Sequence, residues 1–425
     1  MGLFVSVVKM KLADAWLGKY RLINYCNLCV FLISFWVSEA FCETPQIIAR
    51  PFASLTQRFS DNFNLSVDKL SVNSTIFSTG LSSDISTSQW QTGITGRYTG
   101  EQFYGHSELD RNEGLVNLNS KITDEYTEFS INGGISFEQP SSSELGSGGV
   151  QFNRIDQMVW DAGTTLRLLL SNQFVLDLNY NYSETTFDGL VDTSRSDFSN
   201  HAASATLGFS QSASLQWFNQ LAFFHTDIPG NNFKSDQVSW TIGFSKAYSN
   251  TLNFTLSAGG VMLLSESGSS PCQVFFNGVC VLFGPLQTSK DEQFGFIYSA
   301  FIEKQFEHTE ISANLSRNLS PTFNGGQTEL NQFELNVTHN LTDTLQLSLS
   351  GRAINSKTLE NTFSQAGRQR YGSSTSLRWK FSKNLSLSSS YGYTYEDRDS
   401  SAKPAERNQI FFALKYDFSP QLIYP

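Results

Sequence analysis

Apolar and polar residues alternate along this chain in runs of about ten, the length of a strand that crosses a bilayer at a tilt. The last run, Asn408 to Phe418 (NQIFFALKYDF), shows the pattern most clearly. Ile410, Phe412, Leu414, Tyr416 and Phe418 are large and apolar, while Gln409, Ala413, Lys415 and Asp417 between them are small or polar, with Phe411 the exception. Successive side chains of a strand point to opposite faces. A chain built from such runs presents one face to an apolar medium and the other to water, which excludes packed helices and calls for a sheet with two solvents.

Composition narrows the class further. Charged residues make up 16% of the chain, aromatic residues 14%, and 36 positions are Phe. That is too aromatic and too rich in Ser, Asn and Gly for a helical enzyme, and too poor in charge for a disordered chain. Beyond the N-terminus no run of eighteen apolar residues occurs, as a helical span would need. A transmembrane β-barrel escapes hydropathy plots because only every second residue meets lipid.

The N-terminus reads as a targeting segment. Lys9, Lys11, Lys19 and Arg21 precede an apolar stretch from Cys26 to Val37, and Ala40-Phe41-Cys42 fits a small-residue cleavage site. The expected layout is therefore a signal peptide over 1–42, a leader over 43–50, a barrel over 51–418 and a tail over 419–425. The chain carries a formal net charge of −10. Loss of 1–42 removes four basic and two acidic residues, making the balance about −12, and an acidic chain with no basic stripe argues against nucleic acid. Two cysteines survive, Cys272 and Cys280, close together in one connection. Such a pair in an exported protein is expected to form a small loop disulfide.

Taken in order, the runs number about eighteen, with sixteen the alternative count, and both are even as bacterial barrels require. They include Trp90 to His106, with Trp90, Ile94, Tyr98 and candidate Phe103 on the apolar side, and Phe174 to Tyr182 opposite Asp177, Asn179 and Asn181. Short links such as Ser171-Asn172-Gln173 and Ser382–Asn384 alternate with long ones such as Glu184–Ser199 and Ser265–Lys290. Short turns are expected to face the periplasm and long loops the outside. The fold class that follows is all-β: a transmembrane antiparallel up-and-down β-barrel in the outer membrane of a Gram-negative bacterium, in contact with its lipid and inserted by barrel-assembly machinery.

Catalytic chemistry finds no purchase here. The five histidines are scattered, and neither a G-x-S-x-G nor an H-E-x-x-H motif occurs. Glu307-His308-Thr309-Glu310 is better read as a solvated cluster at a turn, so no metal, cofactor or enzymatic activity is expected. The inferred inward positions are mostly Ser, Thr, Asn, Gln and Gly. Arg97, Asp161, Arg167, Asp177, Glu334, Arg352, Arg378 and Lys380 add scattered charges of both signs and are the candidate lumen-lining residues. A single-sign charged ring would signal ion selectivity, and none is visible. In the connection 265–290, Phe275, Phe276, Val281, Leu282 and Phe283 surround the cysteines, which suits a pore cap, a partner surface or packing on neighbouring loops.

Three stretches carry a resemblance to a known family: PFASLTQRFSDNFNL (Pro51–Leu65) with the strand after it, YTGEQFYGHSELDRNEG (Tyr98–Gly114), and the closing RNQIFFALKYDF. They resemble outer-membrane β-barrels associated with exosortase/PEP-CTERM and exopolysaccharide gene clusters. The likeness covers both ends of the chain, and the Ser419–Pro425 extension departs from the family's terminal aromatic. It implies a porin-like conduit for export of an exopolysaccharide, working with a periplasmic polysaccharide-export protein. A diffusion porin for small solutes and a structural or adhesive surface barrel stand beside it.

Overall fold

A computed structural model describes residues 45–138, 145–146, 149–150, 156–188, 196–269, 272–276, 279–283, 287–321, 327–358, 367–398 and 403–424. The expected signal peptide lies outside the described residues. The barrel opens with β1 (Gln46–Ser60), β2 (Val72–Ser86), β3 (Trp90–Phe103), β4 (Arg111–Thr123), β5 (Thr127–Glu138) and β6 (Asp156–Leu169). It continues through β7 (Phe174–Asp188), β8 (Phe198–Ser212), β9 (Leu215–Ile228), β10 (Phe233–Ser249), β11 (Leu252–Ser269) and β12 (Gln287–Gln305). It ends with β13 (Thr309–Pro321), β14 (Gln327–Asn340), β15 (Leu345–Thr358), β16 (Arg368–Lys380), β17 (Leu385–Arg398) and β18 (Ala405–Asp417).

Each strand pairs antiparallel with the next, and β18 returns to β1 from Phe52↔Asp417 to Ser60↔Gln409. The result is a closed barrel of eighteen strands, which leaves no edge for another chain to extend. Eighteen, not sixteen, is the count.

The turn end of the barrel repeats one device. At Ser171, Ser212, Thr342 and Ser382 the hydroxyl oxygen accepts the backbone N–H groups two and three residues on, at 3.0–3.3 Å. Ser249 accepts the Thr251 N–H at 3.2 Å in the same way. Each hydroxyl satisfies amides that the reversing chain withdraws from the ladder, so in these five hairpins a Ser or Thr three residues before a Leu or Phe sets the register.

On the outer face large apolar residues stand exposed around the barrel, among them Leu55, Leu81, Leu221, Trp240, Ile242, Phe296, Leu349 and Leu414. Aromatic pairs bound this belt. Phe174–Phe209, Trp217–Phe244, Trp379–Phe381 and Tyr416–Phe418 lie near the turn end with ring centroids 4.0–5.3 Å apart. Tyr371–Tyr395 and Phe296–Tyr298 lie toward the loop end, at 6.1 and 6.0 Å. From Trp379 to Tyr371 the strand rises about 3.3 Å per residue at a tilt of about 40°, so the belt stands about 20 Å tall, close to the apolar band of membrane barrels. A closed barrel wearing such a belt spans the outer membrane. No helix among the described residues is long and apolar enough to cross one.

Several boundaries differ from those expected. The first strand begins at Gln46 rather than Pro51, so the leader is largely strand. The tail is not loose, because Gln421–Tyr424 pairs with β1 through Ala49↔Gln421 and Ile47↔Tyr424. Pro420 lacks the N–H a continuous β18 would need there, and the chain resumes pairing just beyond it. Strands overrun the expected loops, as at β10 and β11, because beyond the bilayer their outward positions turn polar, at Lys234, Asp236 and Glu266, and the lipid-facing apolar period ends before the pairing does. The link Pro229–Asn232 is a short 3-10 turn on the loop side, a break in the short-long rhythm. The 265–290 connection carries a hairpin of its own, Cys272–Phe276 with Val279–Phe283, apart from the barrel sheet. Its register sets Cys272 opposite Phe283 and Cys280 opposite Phe275.

Candidate functional site: the lumen and its loop-end mouth

Alternation and register together assign the inward face of every barrel strand. Ile410, Phe412, Leu414, Tyr416 and Phe418 are 40–48% exposed on the outside, which puts Arg407, Gln409, Phe411, Ala413, Lys415 and Asp417 inside. By the same rule Arg97, Asp161, Arg167, Asp177, Glu334, Arg352, Arg378 and Lys380 all fall on inward positions. The fold brings two pairs of them together. Arg167 donates to both oxygens of Asp177 at 2.7 and 3.0 Å. Arg352 pairs with Glu334 at 3.1 Å and donates to Gln332 at 3.0 Å. Arg97, Asp161, Arg378 and Lys380 are dispersed, and their side chains make no hydrogen bond or ion pair among the described residues.

The inward wall is polarised across the lumen. Strands β8 to β11 carry no charged residue at their inward positions; a shallow concavity there is lined by Asn179, Asn181, Ser204, Gln220, Gln237 and Ser239, with Ala202, Ala222 and Phe224 as its floor. Toward the loop end of the same strands the inward side turns apolar, and Ile228, Phe233 and Leu263 are buried. Seven strands further round the ring, β15 to β18 present Arg352, Arg368, Arg370, Arg378, Lys380, Arg398, Arg407 and Lys415 against two carboxylates, Glu396 and Asp417. An acidic chain therefore builds a cationic wall inside itself. Its charges sit beside lipid-shielded backbone, where fields are screened less than on an open surface.

At the loop-end mouth two buried glutamates each gather two arginines. Glu101 pairs with Arg58 and, at 2.7 Å, with Arg111, and also accepts the Ser74 hydroxyl. Glu396 pairs with Arg368 and Arg398. A carboxylate this deeply buried persists only because its lone pairs are filled by charged donors. The Arg58 guanidinium also lies over the Phe63 and Phe103 rings, 4.9 and 5.2 Å from their centroids. Phe63, Val72 and Phe103 form the apolar cluster beneath, with Leu70 and Leu109 against it. Phe103 thus faces inward and is 2% exposed; it does not belong to the lipid-facing set of β3, because the loop over 61–71 supplies an apolar shelter for it.

That loop stitches the closing seam. Asp61 accepts the Asn408 backbone N–H and side-chain amide at 2.6 and 2.7 Å. Asn62 donates to the Glu406 and Ser66 carbonyls at 2.8 and 2.7 Å. Pro51–Leu65, Tyr98–Gly114 and the closing RNQIFFALKYDF, far apart in sequence, meet here. Arg58 and Phe63 come from the first stretch, Glu101, Phe103 and Arg111 from the second, and Asn408 from the third. Sequence reasoning did not select these residues, nor Arg368, Arg370, Glu396, Arg398 and Arg407. Extending the even-residue pattern of Tyr371–Phe381 back to Arg368 would have added Arg368 and Arg370.

Among the described residues no group of three or more His, Cys, Asp and Glu side chains is placed to hold a metal. Glu307 and His308 lie 3.7 Å apart, both well exposed in their turn. The lumen offers hydroxyls, amides and fixed charges, which suit passage and transient hydrogen bonding.

No family model matches the sequence, and no curated protein matches it. Solved barrels do share its outline. Pseudomonas aeruginosa OpdK, crystallised with vanillate, is 11% identical, with 88% of this chain and 99% of that one aligned at a TM-score of 0.45. A BenF-like porin from Pseudomonas fluorescens is 11% identical over 89% and 100% of the two chains, at 0.47. The ferric-catecholate import receptor Fiu of Escherichia coli is 8% identical over 89% and 82%, at 0.46. These likenesses concern the barrel outline and nothing finer.

Proposed function

We propose that the protein is a porin-like, water-filled conduit that carries hydroxyl-rich solutes across the outer membrane, with an exported saccharide polymer as cargo and a periplasmic export protein as partner. The observation that carries this reading is the uncharged inward wall of β8 to β11, where amides and hydroxyls replace charge. Barrels of sixteen to eighteen strands are wide enough to leave an aqueous channel. Such a wall exchanges hydrogen bonds with a sugar chain at many weak points and holds none of them tightly, as a moving polymer requires. The resemblance at both ends of the chain supplies the polymer and the partner.

A diffusion porin for small solutes is the second reading, because the same wall serves a monosaccharide as well as a polymer. Deleting the gene and measuring polysaccharide outside the cell and in the periplasm separates the two. The conduit reading expects loss outside, accumulation inside and recovery with the intact gene. Unchanged export sinks it, and steady single-channel conductance of the purified barrel then favours the diffusion porin.

A further inference from the structure

We infer that the inward face of β16 is a track for carboxylate-bearing saccharides, a substrate class that the conduit reading, on which this rests, leaves open. Along this one strand the inward residues run Arg370, Gly372, Ser374, Ser376, Arg378 and Lys380. Cations thus stand at both ends of a hydroxyl step. Arg370 and Arg378 are about 26 Å apart along the strand, a span that several sugar units occupy at once.

Three observations point to an anion. The Arg370 side chain makes no hydrogen bond or ion pair among the described residues, although it is half-buried, with the one carboxylate Glu396 outnumbered around it by Arg407, Arg368 and Arg352. Arg378 and Lys380 are equally unengaged. Next to Arg370 the protein already shows how this wall holds a carboxylate, since Glu396, on the rung opposite Arg370, is gripped by Arg368 and Arg398. The buried Nε of Arg368 still lacks an acceptor. A guanidinium takes a carboxylate through two parallel donors, so Arg370 is equipped to take the acid group of an incoming sugar. Ser374, whose hydroxyl lies 2.7 Å from that of Ser350, and Ser376 meet the sugar hydroxyls below it. Gly372 leaves room between the two.

Calorimetric titration of the detergent-purified full chain at low salt tests this, with galacturonate, galactose and inorganic sulfate as probes. Galacturonate should bind at least ten times more tightly than galactose and sulfate, and Arg370→Gln should erase most of that preference while Arg370→Lys keeps part of it. Equal binding of galacturonate and galactose by the unaltered protein overturns the inference. So does sulfate binding as tightly as galacturonate, which would mark a general anion site, or a folded Arg370→Gln barrel with full preference. The outcomes stay separate from those of the conduit reading. A barrel that prefers the acid yet plays no part in export removes the conduit and leaves the track. One that exports polymer without that preference does the reverse.

Discussion

Glu396 is the residue on which the loop-end wall depends. Its side chain has no solvent exposure, and both oxygens are taken, one by Arg368 and one by Arg398. Replacing it with Gln keeps the shape but leaves two cations on a wall already crowded with them. Breaking a buried ion pair by removing one partner costs about 3–5 kcal/mol. Glu396→Gln should therefore destabilise the barrel by about 3 kcal/mol, read as a lower urea midpoint for unfolding from lipid vesicles. An unchanged midpoint would mean that water or a mobile counter-ion fills the place of the carboxylate. Glu101, held by Arg58 and Arg111, is the matching device across the seam.

At the scale of the element, alternation carried most of the fold. Residues such as Ile410, Phe412 and Leu414 face lipid because only one register turns them outward, so the antiparallel barrel follows from the sequence, while its count of eighteen rather than sixteen comes from the pairing. Strand ends were illegible for a physical reason. Above the belt the outward positions of β10 and β11 turn polar, at Lys234, Asp236 and Glu266, while Phe233 and Leu263 are buried on the inward side, so no lipid-facing apolar period remains to mark where pairing stops. The site was legible only in the part that lies within the belt. Arg167–Asp177 and Arg352–Glu334 were named as lumen residues, whereas Arg368, Arg370 and Glu396 lie above the last apolar alternation and were passed over. The inward turn of Phe103 was hidden too, since the residue that shelters it, Phe63, is forty positions away. The hairpin turns make the element-scale prediction. Ser382→Ala removes an acceptor for the Asn384 and Leu385 amides and should cost about 1 kcal/mol, with Thr342→Ala alike and the two additive because the turns are separate. Vesicle unfolding curves of the single and double variants check this, and a double variant no weaker than either single one would contradict it.

For the whole molecule the decisive property is that one wall, a single strand thick, separates two solvents. Leu414 and Ala413 are neighbours on β18, paired across the seam with Leu55 and Thr56. Leu414 is 45% exposed on the belt, while Ala413 points into the lumen between Phe411 and Lys415. An arginine on the lipid face near the middle of the bilayer costs about 2–4 kcal/mol, and a lumen substitution changes selectivity rather than stability. Leu414→Arg, one outward step inside the Tyr416–Phe418 pair, should then lower the stability of the folded barrel in vesicles by about 1–3 kcal/mol, while Ala413→Arg should leave it within about 0.5 kcal/mol. The same Ala413→Arg variant adds a cation to the inner wall and should shift ion preference in planar bilayers toward anions. Leu414→Arg should leave that preference unchanged. Equal losses of stability from the two variants would mean that both faces of β18 are dry, and a barrel dry on both faces carries nothing through its centre.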